Sequence, residues 1–187
     1  MRKFFELLAL SLRQKIRFAP PGWRGFTTNG KDTRNNDMES TRRIHTLGTS
    51  NRTLEEFFAV LDTYNIRHVI DVRRFPKSRR CPWFDRETLE VELQSKGFEY
   101  LWLGDLLGGF REGGYEAYKM EMAYLRGLEE VERAAIRSMV ALICAEKFPW
   151  KCHRLRIAGS LEERGWDVIH ILDGDRIWQQ KQASFEF

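Results

Sequence analysis

The chain has 187 residues, of which 42% are hydrophobic and 31% are charged. This length and composition are typical of one globular domain with a hydrophobic core, and they exclude a disordered chain. No apolar run approaches the roughly 18 residues that a membrane span requires, so we expect no membrane partner. The three cysteines cannot all pair within one chain. Because they form no disulfide framework, we expect a protein of a reducing compartment, the cytoplasm.

The positive charge of the chain is concentrated in residues 1–43. This segment has 10 Lys and Arg against 4 Asp and Glu, whereas the rest of the chain has 21 against 23. Four apolar residues of the segment repeat at helical spacing, which favours an amphipathic helix over a signal peptide: Phe5, Leu8, Leu12 and Ile16. We therefore predict a basic N-terminal extension and linker over residues 1–43 and a single α/β domain over residues 44–187.

From Ile44 onward, strand-like and helix-like patterns alternate. Five strands are predicted from their apolar runs: 44–47, 68–72, 99–103, 139–144 and 168–172. Helices are predicted between them: from Thr53, over 85–96, over 115–137 and over 152–164. This alternation predicts an open, mostly parallel sheet with helices on both faces, which is a Rossmann-like three-layer sandwich.

Local signals mark where several helices begin and end. Thr53 and Glu56 form a capping box, in which each side chain accepts a hydrogen bond from the backbone amide of the other residue. Asp85 can cap the next helix, and Gly97 can end it. Gly127 lies within the long region 115–137, and we predict a break in the helix there.

The turn after the first strand is a candidate ligand site, because ligands of open parallel sheets bind outside the carboxyl ends of the strands. Gly48, Ser50 and Asn51 join that strand to the capped helix, so their amides could hold an anion at the helix N-terminus. The alternative is an ordinary turn in which Ser50 or Asn51 helps to cap the helix.

The second strand ends in a cluster of charges. Asp71 lies inside an apolar strand, where an ionised carboxylate needs a partner. Five cations follow between Arg73 and Arg80. Arg73 and Arg74 could grip a phosphate or a carboxylate, because the planar guanidinium suits both anions. The alternative is a solvated basic loop in which one arginine pairs with Asp71.

The strongest candidates flank the connection after the fourth strand. Cys144 and Glu146 lie at the end of that strand, and Cys152, His153 and Arg154 begin the next helix. Helix amides and the charge of Arg154 favour a thiolate at Cys152 or a bound anion. Glu146 or His153 could act as a base. The alternative is that Cys144 is a core residue and that His153 caps the helix or pairs with Glu146.

No metal ion or other cofactor is predicted. Cys81, Cys144, Cys152 and His153 supply enough donor atoms for zinc. However, the separation of Cys144 and Cys152 exceeds the roughly two to four residues between the cysteines of structural zinc sites.

Five sequence blocks together resemble the family catalogued as domain of unknown function 488. The blocks are 44–51, 71–76, 78–80, 103–109 and the pair 144–146 with 152–154. The resemblance covers about residues 44–172 and implies a Rossmann-like α/β sandwich. It places these residues on the family's motif positions: Asp71, Arg73, Arg74, Glu146, Cys152, His153 and Arg154. The segment Cys81-Pro82-Trp83 departs from the pattern, which has a polar residue before the proline.

We predict an enzyme that acts on a phosphorylated or nucleotide-like small molecule, an anionic ligand bound at the carboxyl edge of the sheet. The predicted catalytic residues are Asp71, Glu146, Cys152 and His153. The predicted ligand-binding residues are Gly48, Ser50, Asn51, Arg73, Arg74 and Arg154.

Two other functions stay open. One is thiol or sulfur-transfer chemistry at Cys152, which the rhodanese-like run 69–73 favours. The other is a nucleic-acid-binding or regulatory module that uses the basic N-terminal extension and the loop 73–80. In that case Trp83, Trp102 and Trp150 would offer stacking surfaces.

Overall fold

A computed structural model describes residues 42–179. The apolar residues of the predicted N-terminal helix lie outside the described residues. The strands are β1 (Arg43–Gly48), β2 (His68–Asp71), β3 (Glu99–Trp102), β4 (Val140–Cys144), β5 (Asp167–Asp173) and β6 (Arg176–Trp178). The helices are α1 (Leu54–Thr63), α2 (Arg86–Ser95), α3 (Gly104–Leu107), α4 (Tyr115–Tyr118), α5 (Met122–Arg137) and α6 (Arg154–Glu163). Short 3₁₀ turns occupy Pro82–Phe84 and Pro149–Lys151.

The six strands form one open sheet in the order β3-β2-β4-β1-β5-β6. Strands β1 to β5 pair in parallel, and β6 pairs antiparallel with β5 at the edge. The predicted mostly parallel sheet is therefore confirmed, with its five predicted strands in place. Strand β6, which has three residues and follows a tight turn at Gly174, was not predicted from the sequence.

Helices cover both faces of the sheet, and alternate residues of each strand point to opposite cores. On one face, α1 and α2 pack against the sheet through buried residues such as Phe57, Leu61, Leu89, Leu93 and Ile143. On the other face, α3, α5 and α6 pack through residues such as Leu107, Leu128, Val131, Ile157 and Leu142. The two buried clusters give the three layers that the strand–helix alternation predicts.

The connections leave neighbouring strands toward opposite faces. Helices α1 and α2, on one face, carry the chain from β1 to β2 and on to β3. Helix α6, on the other face, carries it from β4 to β5. Because β4 lies between β2 and β1, the loop after β4 diverges from both neighbouring loops. Such divergence opens crevices at the carboxyl edge of a sheet.

Of two predicted helix caps, the structure shows the one before α1 but not the one before α2. The capping box of α1 is confirmed, since Thr53 Oγ1 accepts from the Glu56 amide (3.2 Å) and Glu56 Oε2 accepts from the Thr53 amide (2.9 Å). Asp85 precedes α2 as predicted, but its side chain accepts from the Ser78 amide (2.7 Å) and caps no helix amide. Asp85 therefore holds the preceding loop instead of the helix end.

The break in the region 115–137 occurs between α4 and α5 and not at Gly127, so that prediction is wrong. Helix α5 continues through Gly127, which is buried against α3. A Cβ at this position would lie 2.6 Å from Leu107 Cγ. The glycine is thus needed for close helix packing. None of the described helices is long and apolar enough to cross a membrane.

Candidate functional site

A crevice of about 370 Å³ opens at the carboxyl ends of β2 and β4. Three segments line it: Arg73, Arg74 and Phe75 after β2; Gly109 and Phe110 after α3; and Cys144, Ala145, Glu146, Lys151, Cys152 and His153 around the loop after β4. The structure thus brings Glu146, Cys152 and His153 together with Arg74. This agrees with the strand-end rule, by which ligands of open parallel sheets bind outside the carboxyl ends of the strands.

Two cysteines and a histidine form a compact cluster in this crevice. Cys144 is the last residue of β4, and Cys152 follows the 3₁₀ turn before α6. Both thiols are free and buried, and their Sγ atoms are 2.8 Å apart. His153 Nδ1 lies 3.9 Å from Cys144 Sγ and 3.7 Å from Cys152 Sγ. Strand end and helix start therefore place three donor atoms at one point.

The orientation of the His153 ring is set by its surroundings. His153 Nε2 lies 3.0 Å from the carbonyl oxygen of Val72. A carbonyl only accepts, so Nε2 carries the proton and donates it, which leaves the lone pair of Nδ1 facing the sulfurs. Tyr115 packs on the ring, with centroids 5.4 Å apart. A Cβ at Gly109 would be 3.1 Å from Nδ1, so the glycine leaves room for the ring.

The hydrogen bond between the thiols separates their acidities. Cys152 donates to Cys144, and this hydrogen bond lowers the pKa of Cys144 well below its usual value, aided by the positive charge of Arg154. The same hydrogen bond, followed by burial, raises the pKa of Cys152. The Arg154 amide does approach Cys152 Sγ (3.5 Å), as expected at a helix start. The direction of these two shifts favours a thiolate at Cys144 over the thiolate predicted at Cys152.

Arg154 lies behind the cluster, fully buried, and does not line the crevice. Its Nη2 donates to the carbonyl of Lys147 (2.8 Å), whereas Nε and Nη1 have no partner among residues 42–179. Burial lowers its pKa, and its most favourable charge interactions are with Cys152 and Cys144. Arg154 was predicted to bind a ligand, but it lies in the protein interior. From there its guanidinium supplies positive charge to the two sulfurs.

Asp71 is also fully buried and outside the crevice, which corrects the expectation that it shares one crevice with Cys152. Its carboxylate accepts from Arg73 Nε (2.9 Å) and Nη2 (2.5 Å) and from the Tyr100 hydroxyl (2.9 Å). Arg73 Nη1 donates to the Phe84 carbonyl (2.8 Å). Because Asp71 and Phe84 engage its guanidinium, Arg73 holds the end of β2 in place.

Ser50 and Asn51 line a second crevice, of about 460 Å³, together with Arg52, Lys147 and Asp173. The predicted anion cradle at this turn is weakened, because two of its amides bond to the end of β4: Thr49 N to Cys144 O (2.7 Å) and Ser50 N to Ala145 O (2.8 Å). Gly48 permits this approach, since a Cβ there would collide with the Glu146 backbone. The turn after β1 thus supports the loop that carries the cysteine cluster.

Five lining residues are not among the candidates from the sequence: Phe75, Gly109, Phe110, Ala145 and Lys151. Gly109 ends a block that resembles the family pattern, which was the available signal for this wall of the crevice. Phe110 is 88% exposed beside the crevice, and its carbonyl accepts from Arg74 Nη1 (2.6 Å). The prediction of no metal rested on residue spacing, yet the donor atoms of Cys144, Cys152 and His153 all lie within 4.8 Å of one another.

The fold and the crevice define an α/β protein with a cysteine-containing cleft at the carboxyl edge of a mostly parallel sheet. The model of the family described as "Domain of unknown function DUF488" matches residues 53–161, which is more than half of the chain, and the chain belongs to this family. No curated protein and no solved structure matches the chain.

Proposed function

We propose that the protein is an enzyme and that its substrate is a phosphorylated or nucleotide-like small molecule bound in the crevice between β2 and β4. The observation that carries this proposal is the meeting of two kinds of groups in one cleft. Glu146, His153 and the cysteines can move protons or bond to a reacting atom. Arg74 and Lys151, on the same cleft, can hold an anion.

The size and charge of the crevice fit such a ligand. Its volume of about 370 Å³ is within the range of small-molecule sites, which is roughly 300–1,000 Å³. Arg74 is half-buried and fixed through the Phe110 carbonyl, so its guanidinium is held at the wall. Lys151 is exposed and also lines the crevice. A phosphate in the crevice would meet the fixed guanidinium of Arg74 and the flexible ammonium of Lys151.

An aromatic pair on the loop after β4 favours a nucleotide over other phosphorylated molecules. The rings of Phe148 and Trp150 stack with centroids 5.0 Å apart and planes 19° from parallel. Trp150 is 49% exposed, and the ammonium groups of Lys147 and Lys151 lie about 6 Å from the Phe148 ring. A nucleobase can stack on an exposed indole while its phosphate reaches Lys151.

Calorimetric titration with inorganic pyrophosphate and with adenosine monophosphate tests the anion site. We expect Arg74→Ala to weaken the binding of both ligands by about tenfold or more, because a charge-assisted hydrogen bond contributes about 1.5–3 kcal/mol. Arg126→Ala, which removes an exposed arginine of α5 that does not line the crevice, is the matched control and should bind normally. Absence of saturable binding, or equal binding by both variants, would overturn the proposal.

Trp150→Ala separates the base from the phosphate. If the nucleobase stacks on this ring, the variant should bind adenosine monophosphate more weakly and pyrophosphate unchanged, since only the first ligand has a base. Equal affinity of wild type and variant for the nucleotide would remove the base from the proposal and leave a simple phosphorylated ligand.

A further inference from the structure

We propose that Cys144, Cys152 and His153 bind a divalent cation of the zinc class, with the fourth coordination position open to the crevice. This goes beyond the anion-binding function proposed above and does not depend on it. Two thiolates and one imidazole are a donor set of catalytic zinc sites, which keep one position for water or substrate.

The distances fit a single ion after one adjustment. Zinc–sulfur bonds of about 2.3 Å and zinc–nitrogen bonds of about 2.0–2.1 Å place tetrahedral donors roughly 3.5–3.8 Å apart. His153 Nδ1 lies 3.9 Å and 3.7 Å from the two sulfurs, close to that spacing. The sulfurs themselves are 2.8 Å apart. Binding would therefore separate them by about 1 Å, which the loop before α6 can supply because Cys152 lies outside both regular elements.

The hydrogen bond of His153 is the one that a metal ligand needs. Metal-bound histidines donate their other N–H to a carbonyl or carboxylate, which fixes the tautomer and the ring. Nε2 of His153 does so at the Val72 carbonyl (3.0 Å), and Nδ1 faces the sulfurs. The simpler roles for this histidine are to cap the helix or to pair with Glu146. Neither role requires Nδ1 to face the two sulfurs.

The position of the cluster is typical of a catalytic zinc site, which keeps one coordination position open, and not of a closed structural site. Cys144, Cys152 and His153 all line the crevice, so the open coordination position faces the volume in which a ligand would bind. One cysteine ends a strand and the other precedes a helix, so the fold brings them together across the connecting loop. The short spacing of structural zinc sites does not apply to such an arrangement.

Titration of the reduced protein with Co²⁺ under anaerobic conditions tests the site. We expect one equivalent to produce the sulfur-to-cobalt charge-transfer band and the intense visible bands of tetrahedral Co²⁺, both abolished by one equivalent of Zn²⁺. Cys144→Ser, Cys152→Ser and His153→Gln should each weaken Co²⁺ binding at least tenfold. Cys81→Ser alters a buried cysteine packed in the core of the opposite face and should leave the spectrum unchanged. Circular dichroism checks that the variants fold.

The wild-type spectrum decides the question even if a variant fails to fold. Absence of the charge-transfer band from the fully reduced wild type would overturn the proposal. So would a protein that binds no Co²⁺ and loses two hydrogens in mass on mild oxidation, since the cysteines would then be a redox pair. The proposed anion site is judged separately by pyrophosphate binding to the Arg74 variant, so the two proposals can fail independently.

Discussion

At the scale of single residues, the charges around Asp71 show what a sequence can locate and what it leaves open. An aspartate in an apolar strand requires a partner, and the structure supplies Arg73. Residues two apart in an extended chain lie on the same face, which places Arg73 over Asp71. Five cations follow the strand, and only Arg73 has this two-residue spacing from Asp71. The catalytic role predicted for Asp71 came from its place at a strand end and on a family motif position, and neither shows that Arg73 neutralises the carboxylate.

Replacing Arg73 should be far more damaging than replacing an arginine of an exposed pair. Arg73→Leu leaves the Asp71 carboxylate buried without its countercharge, and breaking a buried pair costs about 3–5 kcal/mol. The control is Arg67→Leu, because Arg67 pairs with Asp62 at 3.4 Å but both side chains are more than half exposed. There the loss should be at most about 1 kcal/mol. Urea denaturation measures both, and similar losses would show that the buried Asp71 carboxylate does not depend on the charge of Arg73.

At the scale of elements, the strands were predictable because buried parallel strands are continuous apolar runs. The short elements were not. Helix α3 has only four residues, and β6 has three, so neither shows a period. The packing role of Gly127 could not be predicted from the sequence either. Glycine weakens an isolated helix, but in this helix the absence of a side chain makes room for Leu107. Tertiary packing, which the local sequence does not contain, determines that outcome.

Two glycines in helices should respond oppositely to the same substitution. Gly127→Ala places a methyl group 2.6 Å from Leu107 Cγ in a buried contact between α3 and α5. We expect a loss of about 1–3 kcal/mol from overpacking. Gly159→Ala in α6 meets nothing within 4 Å, so it should gain up to about 1 kcal/mol from helix propensity. Thermal melting of the two variants is the measurement. A lower melting temperature for Gly159→Ala would contradict this account.

At the scale of the whole molecule, the site follows from the strand order. Segments around residues 73, 110 and 146 meet because β4 lies between two strands whose connections leave on the other face. The strand-end rule predicted this edge and most of its residues. It did not show that two crevices form there, or that Asp71 and Arg154 lie in the interior, because strand order and burial depend on packing between distant segments.

Buried histidines make the stability of the whole fold sensitive to acid. His45, His68 and His170 are all at least 95% buried. Burial, aided by Arg43, lowers the pKa of His45 from 6.5 to about 4. Burial, aided by Arg154, lowers that of His170 likewise to about 4. The folded protein therefore keeps these imidazoles neutral at pH values where the unfolded chain protonates them.

We expect the free energy of unfolding to fall as the pH decreases from about 6.5 to about 4, the window between the unfolded and folded pKa values of His45 and His170. In that window the unfolded chain binds more protons, so each imidazole lowers stability by up to about 1.4 kcal/mol per pH unit. Carboxylates such as Glu132, whose pKa is lowered mainly by a hydrogen bond from Arg164, lose their stabilisation mostly below pH 4.5. Urea titrations across this range should show a shallower decline for the double variant His45→Asn, His170→Asn. An equal slope in wild type and variant would mean that other groups control the acid response.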